Sequence, residues 1–411
     1  MVDQRRFDNQ PRWVDARAAA KLLGIDLRTL YAYVSRGRIH SMPSEGGRKR
    51  LYAVEDLERL KTRRDARAGH GAVAAGALRW GEPVLDSAIT QITADGPVYR
   101  GRAAVELAAA GIPFENVAEL LWSGYLPAGP IAWPRPAVPF AQLGRLVPAG
   151  ATPLEVMSLL VPLAGLDDRS RRDGRPDAIV SRARVLLPLL AAALAPGFAN
   201  AAAAVTRALG ASSVAAIAAR AIGADDADAP DIDRALVLLA DHELNNSSFT
   251  ARVVASTDAD AYACTAAALA SLSGPRHGTA SELFSRFADE VGDPDSAKSA
   301  VRALRKKGDV PPGFGHPLYP AGDPRAQPLL AAARGATNKR ARTMLAIVDA
   351  VRDAAPTVDV GFAVLVASLG APPPAASGLF AVARSAGWIA HVIEQRAAGV
   401  LMRPRARYVG P

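Results

Sequence analysis

The chain contains 411 residues, 50% of them hydrophobic and 22% charged, which allows two or three domains with a large buried core. Alanine and leucine dominate and aromatic residues are scarce, so the composition favours helices over sheets. One cysteine, Cys264, excludes a disulfide framework or a cysteine-rich metal site, and the polar opening segment lacks the apolar stretch of a signal peptide. We therefore expect a cytoplasmic protein.

The net charge of +9 is distributed unevenly along the chain. Residues 1–70 contain 16 lysines and arginines against 9 aspartates and glutamates, and the remaining residues are almost balanced. Such an asymmetry indicates a nucleic-acid partner for the N-terminal segment, the alternative being a solubilising tail.

Residues 14–64 show the pattern of a small separate module. Asp15 is a candidate N-cap for a first helix that ends at Gly24, and Ile25-Asp26 leads into a second helix that ends at Gly37. Two short extended arms follow, in the run RIHSMPSEGGRKRLYA, and VEDLERLKTRR predicts a third helix. This order is typical of a winged helix-turn-helix.

The runs AAKLLGIDLRTLYAYVSRGRI and RKRLYAVEDLERL resemble the N-terminal DNA-binding module of MerR-type regulators and phage excisionases. The resemblance implies a helix-turn-helix module over residues 1–64 and a candidate DNA partner. It places four residues on or near the recognition helix, namely Arg28, Thr29, Tyr31 and Tyr33. It places three more on the wing, where they meet phosphates, namely Arg48, Lys49 and Arg50. The alternative is a helical dimerisation module with a basic surface.

Residues 65–81 mix charge, glycine and alanine and are typical of a linker, and from residue 82 the pattern is helical to near the end. The apolar stretch 187–208 is broken by proline, glycine and asparagine, Pro188 among them, which favours a pair of core helices over a membrane span. Neither GxGxxG after a strand nor GxxxxGK[ST] occurs, so those nucleotide-binding folds are not expected.

Motifs in a fixed order between residues 82 and 410 resemble the citrate synthase family. They include LADHELNNSSFTARVVAST, LSGPRHGTASELF, GFGHPLYPAGDPRA, TVDVGFAVLVASLG, LFAVARSAGWIAHVIEQ and RPRARYVG. The resemblance implies a mainly α, two-lobed helical fold over residues 82–411, with a smaller mobile lobe at roughly 278–378. It also implies a homodimer, acetyl-CoA and oxaloacetate as substrates, and no metal or redox cofactor.

Three residues are the candidate catalytic groups. His277 stands beside glycine at a predicted helix start, where the helix N-terminus disfavours protonation, and the resemblance assigns it to the thioester carbonyl. Asp359 is flanked by apolar residues, so burial is expected to raise its pKa, and in the family this aspartate removes the methyl proton. His316 lies between glycine and proline, and the resemblance assigns it to the keto oxygen of oxaloacetate.

Four residues are the candidate ligands of the oxo-acid by the same resemblance, namely His242, Arg325, Arg384 and Arg403. Arginine suits carboxylates because its planar fork binds two oxygens at once. In the family the arginine that matches Arg403 reaches across the dimer into the neighbouring site. The HExxH spacing of a zinc site is absent, so no metal site is expected.

The sequence also departs from the family in several places. Leu239 and Pro317 replace polar residues, Val360-Gly361-Phe362 replaces an aromatic-Tyr-Ser-Gly stretch, and residues 178–205 are almost wholly apolar. Basic candidates for the CoA phosphates are Arg305, Lys306, Lys307, Lys339 and Arg340, the alternative being a solvated basic face. Two other functions stay open: a 2-methylcitrate synthase that uses propionyl-CoA, and a DNA-binding metabolite sensor built on a citrate-synthase-like body.

Overall fold

The computed structural model describes most of the chain. The described residues are 13–35, 39–44, 50–54, 56–57, 85–137, 143, 146–148, 150–198, 201–274, 277–278, 280–316, 318–404, 406, 408 and 410. They divide into two compact units, Met1–Asp86 and Ser87–Pro411, each described by itself below. The linker predicted at 65–81 lies outside the described residues.

The described residues of the first unit form two helices and a small antiparallel sheet. The elements are β1 (Trp13–Asp15), α1 (Ala16–Leu23), α2 (Leu27–Ser35), β2 (Ser41–Pro43) and β3 (Arg50–Ala53). Strand β3 lies in the middle, in the order β1-β3-β2. The two extended arms of the predicted wing are thus present as β2 and β3. Strand β1 was not predicted, because its three residues are too short for a period-2 pattern.

Local chemistry explains the tight turn between α1 and α2. The carboxylate of Asp15 accepts a hydrogen bond from the Ala18 backbone N–H, as expected for an N-cap. Gly24 ends α1 with a φ of 60°, a left-handed conformation that glycine adopts without strain. Asp26 then caps α2 by accepting from the Thr29 N–H at 2.7 Å. The predicted end of α2 at Gly37 and most of the predicted third helix lie outside the described residues.

The second unit is almost entirely helical. A three-stranded sheet of β4 (Thr90–Thr93), β5 (Gly96–Tyr99) and β6 (Arg102–Ala103) opens it. The helices that follow are α3 (Ala104–Ala109), α4 (Phe114–Ser123), α5 (Pro153–Asp167), α6 (Pro176–Ala192), α7 (Ala202–Leu209), α8 (Val214–Ile222), α9 (Ala229–Leu239), α10 (Asn246–Ala255), α11 (Ala261–Leu272), α12 (Ala280–Val291), α13 (Ala297–Lys306), α14 (Ala326–Ala333), α15 (Lys339–Ala350), α16 (Val358–Ser368) and α17 (Pro374–Ala398).

The described residues of this second unit form two hydrophobic cores. The larger core draws on helices from both ends of the unit, including α4, α6, α9 and α17. The smaller core runs from Phe284 to Ala367 and is built from α12–α16. This second core falls within residues 278–378, where the sequence predicts the smaller lobe. The predicted mobility of that lobe stays a prediction.

Helix α17 is the central element of the larger core. It is 25 residues long and packs against several helices of that core, α4, α6, α9 and α10 among them. By length and composition it could cross a membrane, but 89% of its most apolar stretch is buried inside the protein, as is usual for a core helix. The prediction that Pro188 interrupts the alanine-rich stretch was wrong, because α6 continues through Pro188 to Ala192.

Candidate active site

Two buried arginines stand at the centre of the site. Arg325 and Arg384 are each only 2% exposed. Arg325 donates two hydrogen bonds to the carboxylate of Asp323, at 2.9 and 2.8 Å. Arg384 donates from Nε to the Leu239 carbonyl at 2.9 Å, and its two Nη groups form no hydrogen bond with the described residues. Arg384 therefore retains the paired donors that a ligand carboxylate requires.

An aromatic cluster connects His242 with His316. The Nε2 atom of His242 lies 2.8 Å from the hydroxyl of Tyr319. The ring of Tyr319 packs against His316 at a centroid distance of 4.9 Å and beneath the guanidinium of Arg325 at 5.4 Å. The rings of His242 and His316 are 6.0 Å apart. Tyr319 thus holds both imidazoles and one arginine in a single cluster.

The backbone around His316 brings it close to the helix of Asp359. Gly315 N donates to the Ala355 carbonyl and Thr357 N donates to Gly313 O, at 2.8 and 2.9 Å. Gly313 has a φ of 84°, and a Cβ there would lie 2.5 Å from a methyl of Val360. Glycine is therefore required where the loop meets α16.

Asp359 lies in the first turn of α16, whose N-cap is Thr357. Burial raises the pKa of Asp359, against the opposing positive charges of Arg325 and Arg384. A carboxylate with a raised pKa holds a proton more strongly, as a base does. Asp323 orders the same turn, because its second oxygen accepts from the Val358 N–H at 3.0 Å.

His277 is held by a separate polar group. Its Nε2 atom accepts from the Ser247 N–H at 3.3 Å and lies 2.9 Å from the Ser247 hydroxyl. Trp388 donates from its indole nitrogen to that hydroxyl at 3.0 Å. Since Nε2 is an acceptor, the neutral ring carries its proton on Nδ1, which forms no hydrogen bond with the described residues. Nδ1–H is therefore free to donate to a ligand.

The three imidazoles are all kept neutral by their surroundings. Burial, and secondarily the charge of Arg384, lowers the pKa of His277 to about 4. Burial also lowers the pKa of His316 and, with the help of Arg325, that of His242. The sequence predicted a neutral His277 through a helix N-terminus, but the causes are burial and a neighbouring arginine. In His316 the Nδ1 atom accepts from the Leu318 N–H at 3.1 Å, so the proton resides on Nε2.

The charges of the two arginines influence the other predicted residues of the site. Arg384 acts on His242, His277 and Asp359, and Arg325 acts on His242, His316 and Asp359. The two arginines and the four residues on which they act are six of the seven predicted body residues. The exception is Arg403, which is exposed and forms no hydrogen bond or ion pair with the described residues.

Sequence patterns missed several residues of this site. Tyr319 and Asp323 stand in the same run as His316, and Ser247 and Trp388 support His277, but none of the four was predicted. The sequence offered little evidence for a functional role of these residues, because a tyrosine or serine beside a motif is usually structural. The basic candidates for the CoA phosphates fall into two groups. Arg305, Lys339 and Arg340 each form an ion pair with an aspartate, whereas Lys306 and Lys307 are exposed.

The candidate DNA-binding residues lie in the first unit and differ in exposure. Arg28 and Tyr31 are exposed on α2, Thr29 is half-buried, and Arg50 is exposed at the start of β3. Arg48 and Lys49 lie outside the described residues. In the parts of the chain that the structure describes, no group of three or more His, Cys, Asp or Glu side chains could hold a metal ion.

The family model for the citrate synthase C-terminal domain matches residues 77–405, which is most of the second unit. The chain belongs to the citrate synthase family. A helix-turn-helix family model matches residues 13–65, so the citrate synthase body follows a helix-turn-helix domain. Membership explains why the separated motifs occur in one order, and it confirms the predicted mainly α fold and N-terminal module. The family needs no cofactor, because CoA enters as part of a substrate.

Curated relatives in the citrate synthase family are similar in sequence to this chain. Citrate synthase 2 of Bacillus subtilis is 39% identical over 186 residues, which are 43% of this chain and 50% of the relative. The chain thus spans about half the length of the first relatives it matches. 2-Methylcitrate synthase 2 of Corynebacterium glutamicum is 29% identical over 344 residues, 76% of this chain and 88% of that one.

Among solved structures, the citrate synthase of Thermotoga maritima superimposes with a TM-score of 0.65 at 27% identity, covering 80% of this chain and 94% of that one. The Thermoplasma acidophilum enzyme, solved as a ternary complex with carboxymethyl coenzyme A and oxaloacetate, superimposes with a TM-score of 0.66 at 24% identity. The second likeness shows the fold alone.

Proposed function

We propose that this citrate synthase family enzyme condenses acetyl-CoA with oxaloacetate and hydrolyses the product to citrate and CoA. The observation that carries the proposal is the pair of buried arginines: Arg325 and Arg384 stand among neutral imidazoles and one carboxylate. A small dianionic acid matches such positive charge, and a neutral imidazole can donate to a carbonyl oxygen without itself adding charge.

Each residue has one role in the proposed reaction. Asp359 takes the methyl proton of the thioester, and His277 donates from Nδ1 to the thioester oxygen, which stabilises the enolate. His316 donates from Nε2 to the keto oxygen of oxaloacetate while the enolate carbon attacks the keto carbon. His242, Arg325 and Arg384 hold the carboxylates of the oxo-acid. Water then cleaves the thioester and CoA leaves as the thiol.

The chain acts as a homodimer in this proposal, because Arg403 is exposed in its own protomer. Its guanidinium completes the oxo-acid site of the second copy. The enzyme is a cytoplasmic acyltransferase that converts the acyl group to an alkyl group on transfer, and the smaller lobe closes over the bound substrates.

Two other functions are each favoured by one observation. Use of propionyl-CoA is favoured by the C. glutamicum 2-methylcitrate synthase, whose similarity covers 88% of its length. One methylene changes binding in an apolar pocket by only about 1–3 kcal/mol, so the two thioesters compete closely. A DNA-binding metabolite sensor is favoured by the helix-turn-helix match at residues 13–65.

A thiol-release assay of the purified full chain tests all three functions. Acetyl-CoA and propionyl-CoA are each combined with oxaloacetate and with other 2-oxo-acids. Release with acetyl-CoA and oxaloacetate at the highest kcat/KM supports the proposal, and a higher value with propionyl-CoA supports the 2-methylcitrate synthase. No release with any pair, together with calorimetric binding of oxaloacetate and retention of a DNA duplex, supports the sensor.

A further inference from the structure

One face of helix α17 contacts the segment that carries His242. Four residues spaced as i, i+3, i+4 and i+7 share this face, namely Arg384, Gly387, Trp388 and His391. Each contacts residues 239–247, which connect α9 to α10. Arg384 donates to Leu239 O, Gly387 N donates to Ala240 O, Trp388 donates to Ser247, and His391 contacts Asp241.

The contact between His391 and Asp241 is a fully buried pair of ionisable groups. Both side chains are 0% exposed, and Nε2 of His391 lies 3.3 Å from Oδ1 of Asp241. Neither that oxygen nor either ring nitrogen forms a hydrogen bond with any residue that the structure describes. An isolated buried charge is strongly unfavourable, so each group needs the other, and Arg384 is the second positive charge near Asp241.

The second carboxylate oxygen and the backbone N–H of Asp241 hold the backbone on both sides of His242 in place. Its second oxygen, Oδ2, accepts from the Glu243 N–H at 3.1 Å, which bridges across His242. Glu243 has a φ of 56°, a left-handed conformation that this bridge helps to hold. The backbone N–H of Asp241 donates to the hydroxyl of Tyr99, and that hydroxyl lies within donating distance of the Val237 and Asp241 carbonyls.

Helix α17 approaches this carboxylate so closely that a side chain would not fit. A Cβ at Gly387 would lie 2.2 Å from Oδ1 of Asp241. The glycine therefore brings the helix backbone against Asp241 and places His391, one turn further on, beside the same oxygen. Helix α17 thus holds Asp241 in position. The next residue is His242, whose ring contacts Tyr319.

We propose that Asp241 and His391 form an ion pair that positions His242 against Tyr319 and thereby sets the affinity for the oxo-acid. The proposal rests on the proposed function for the identity of that acid. Neither residue contacts the reacting atoms, so both are positioning residues. The role of the pair is to hold the backbone of residues 241–243 in the one conformation that aims the His242 ring into the site.

Three variants of the full chain test the pair: Asp241→Asn, His391→Gln and the double variant. Each single variant is expected to raise the KM for oxaloacetate at least tenfold and to change the KM for acetyl-CoA less than threefold. The double variant removes both charges of the pair, so it is expected to unfold nearer the wild-type temperature than either single variant while keeping the high oxaloacetate KM. Ser385→Ala, a buried change on α17 that removes only a bond to Ala381 O, is the control and should alter neither KM more than twofold.

Unchanged oxaloacetate KM values in folded single variants would overturn the proposal, as would equal losses for both substrates. Where a single variant does not fold, histidine ¹⁵N spectra decide. An ion pair requires a protonated His391 ring, so a neutral ring in the wild-type spectrum contradicts the proposal. The His242 Nε2 resonance is expected to shift in the double variant, and an unmoved resonance contradicts the positioning.

The two proposals fail separately. A wild type that releases no thiol with any substrate pair removes the proposed condensation. The His242 and His391 resonances of the unliganded protein still report on the positioning pair in that case, and calorimetric titration with oxaloacetate measures its effect on binding.

Discussion

The two units of this protein place their candidate functional side chains in opposite environments. In the N-terminal unit the candidate residues Arg28, Tyr31 and Arg50 are exposed, and Arg28 and Arg50 are available to phosphates in solvent. In the citrate synthase body Arg325 and Arg384 are buried against carboxylates and imidazoles, where charges interact much more strongly than in water. The candidate residues of the first unit thus offer surface charge, and those of the second unit are buried charges that balance one another.

This contrast predicts that changes in the body have large and specific effects. The largest effect is expected for Asp359→Asn. Asparagine keeps the shape but cannot take a proton, so kcat should fall by about 10²–10⁴-fold while calorimetry shows oxaloacetate still bound. Asp353→Asn, an exposed carboxylate paired with Arg305, is the matched control and should keep its rate. A variant at position 359 with more than a tenth of the wild-type kcat contradicts the role of this carboxylate.

A smaller effect is expected for Arg384→Lys, which keeps the charge but loses the planar fork. Loss of a charge-assisted hydrogen bond costs about 1.5–3 kcal/mol, so the KM for oxaloacetate should rise roughly 10- to 150-fold. Arg334→Lys replaces an arginine whose ion pair with Asp349 is half exposed and should have almost no effect. Similar KM values in both variants would remove the distinction between buried and exposed arginines.

A buried carboxylate outside the site, Asp233, allows the same comparison of buried and exposed charges through the pH dependence of stability. Burial raises the pKa of Asp233 to about 7, from the usual aspartate value of 3.8. The native state therefore binds this proton more tightly than the unfolded state, and the contribution of Asp233 to stability falls as the pH rises from about 4 to 7.

Asp233→Asn removes this dependence. Relative to the wild type, the variant should gain stability between pH 5 and pH 8, on the order of 2 kcal/mol, measured by urea unfolding at both pH values. Asp226→Asn, at an exposed carboxylate paired with Arg220, should show no such gain. Equal pH dependence in wild type and Asp233→Asn would show that this carboxyl titrates normally.

The smallest effect is expected in the N-terminal unit. If Arg28 meets a phosphate, Arg28→Ala should reduce by about one the slope of log affinity against log salt for a mixed-sequence duplex. Thiol release should be unchanged. Arg17→Ala on α1 is the matched exposed control, and fluorescence anisotropy at several salt concentrations measures both. An equal loss in the two variants indicates attraction by net charge and not by a docked helix.

Sequence patterns predicted much of both units. The helix caps at Asp15 and Gly24 depend only on the residue types at those positions, so the helix-turn-helix can be located from neighbouring residues alone. The motifs around His277, His316 and Asp359 likewise identified the citrate synthase family. The roles of these residues, and that of Arg403 across a dimer, stay predictions.

Other features of the site carry no local signal. Tyr319 is an ordinary tyrosine in sequence, and only its position between His242, His316 and Arg325 reveals what it organises. The wrong interpretation of Pro188 has a related reason. A proline in a helix loses one hydrogen bond, but the tertiary packing of α6 in the larger core outweighs that loss.

By itself, the sequence determined the family, the order of the two domains and which ionisable residues are candidates for chemistry, because these depend on residue identity and spacing. Tertiary structure alone decided their protonation and pairing. Asp241 and His391 are 150 residues apart in sequence and become a pair only because α17 packs against the segment after α9. Burial depends on the whole fold, and burial is what lowers the pKa of His277 and raises that of Asp359.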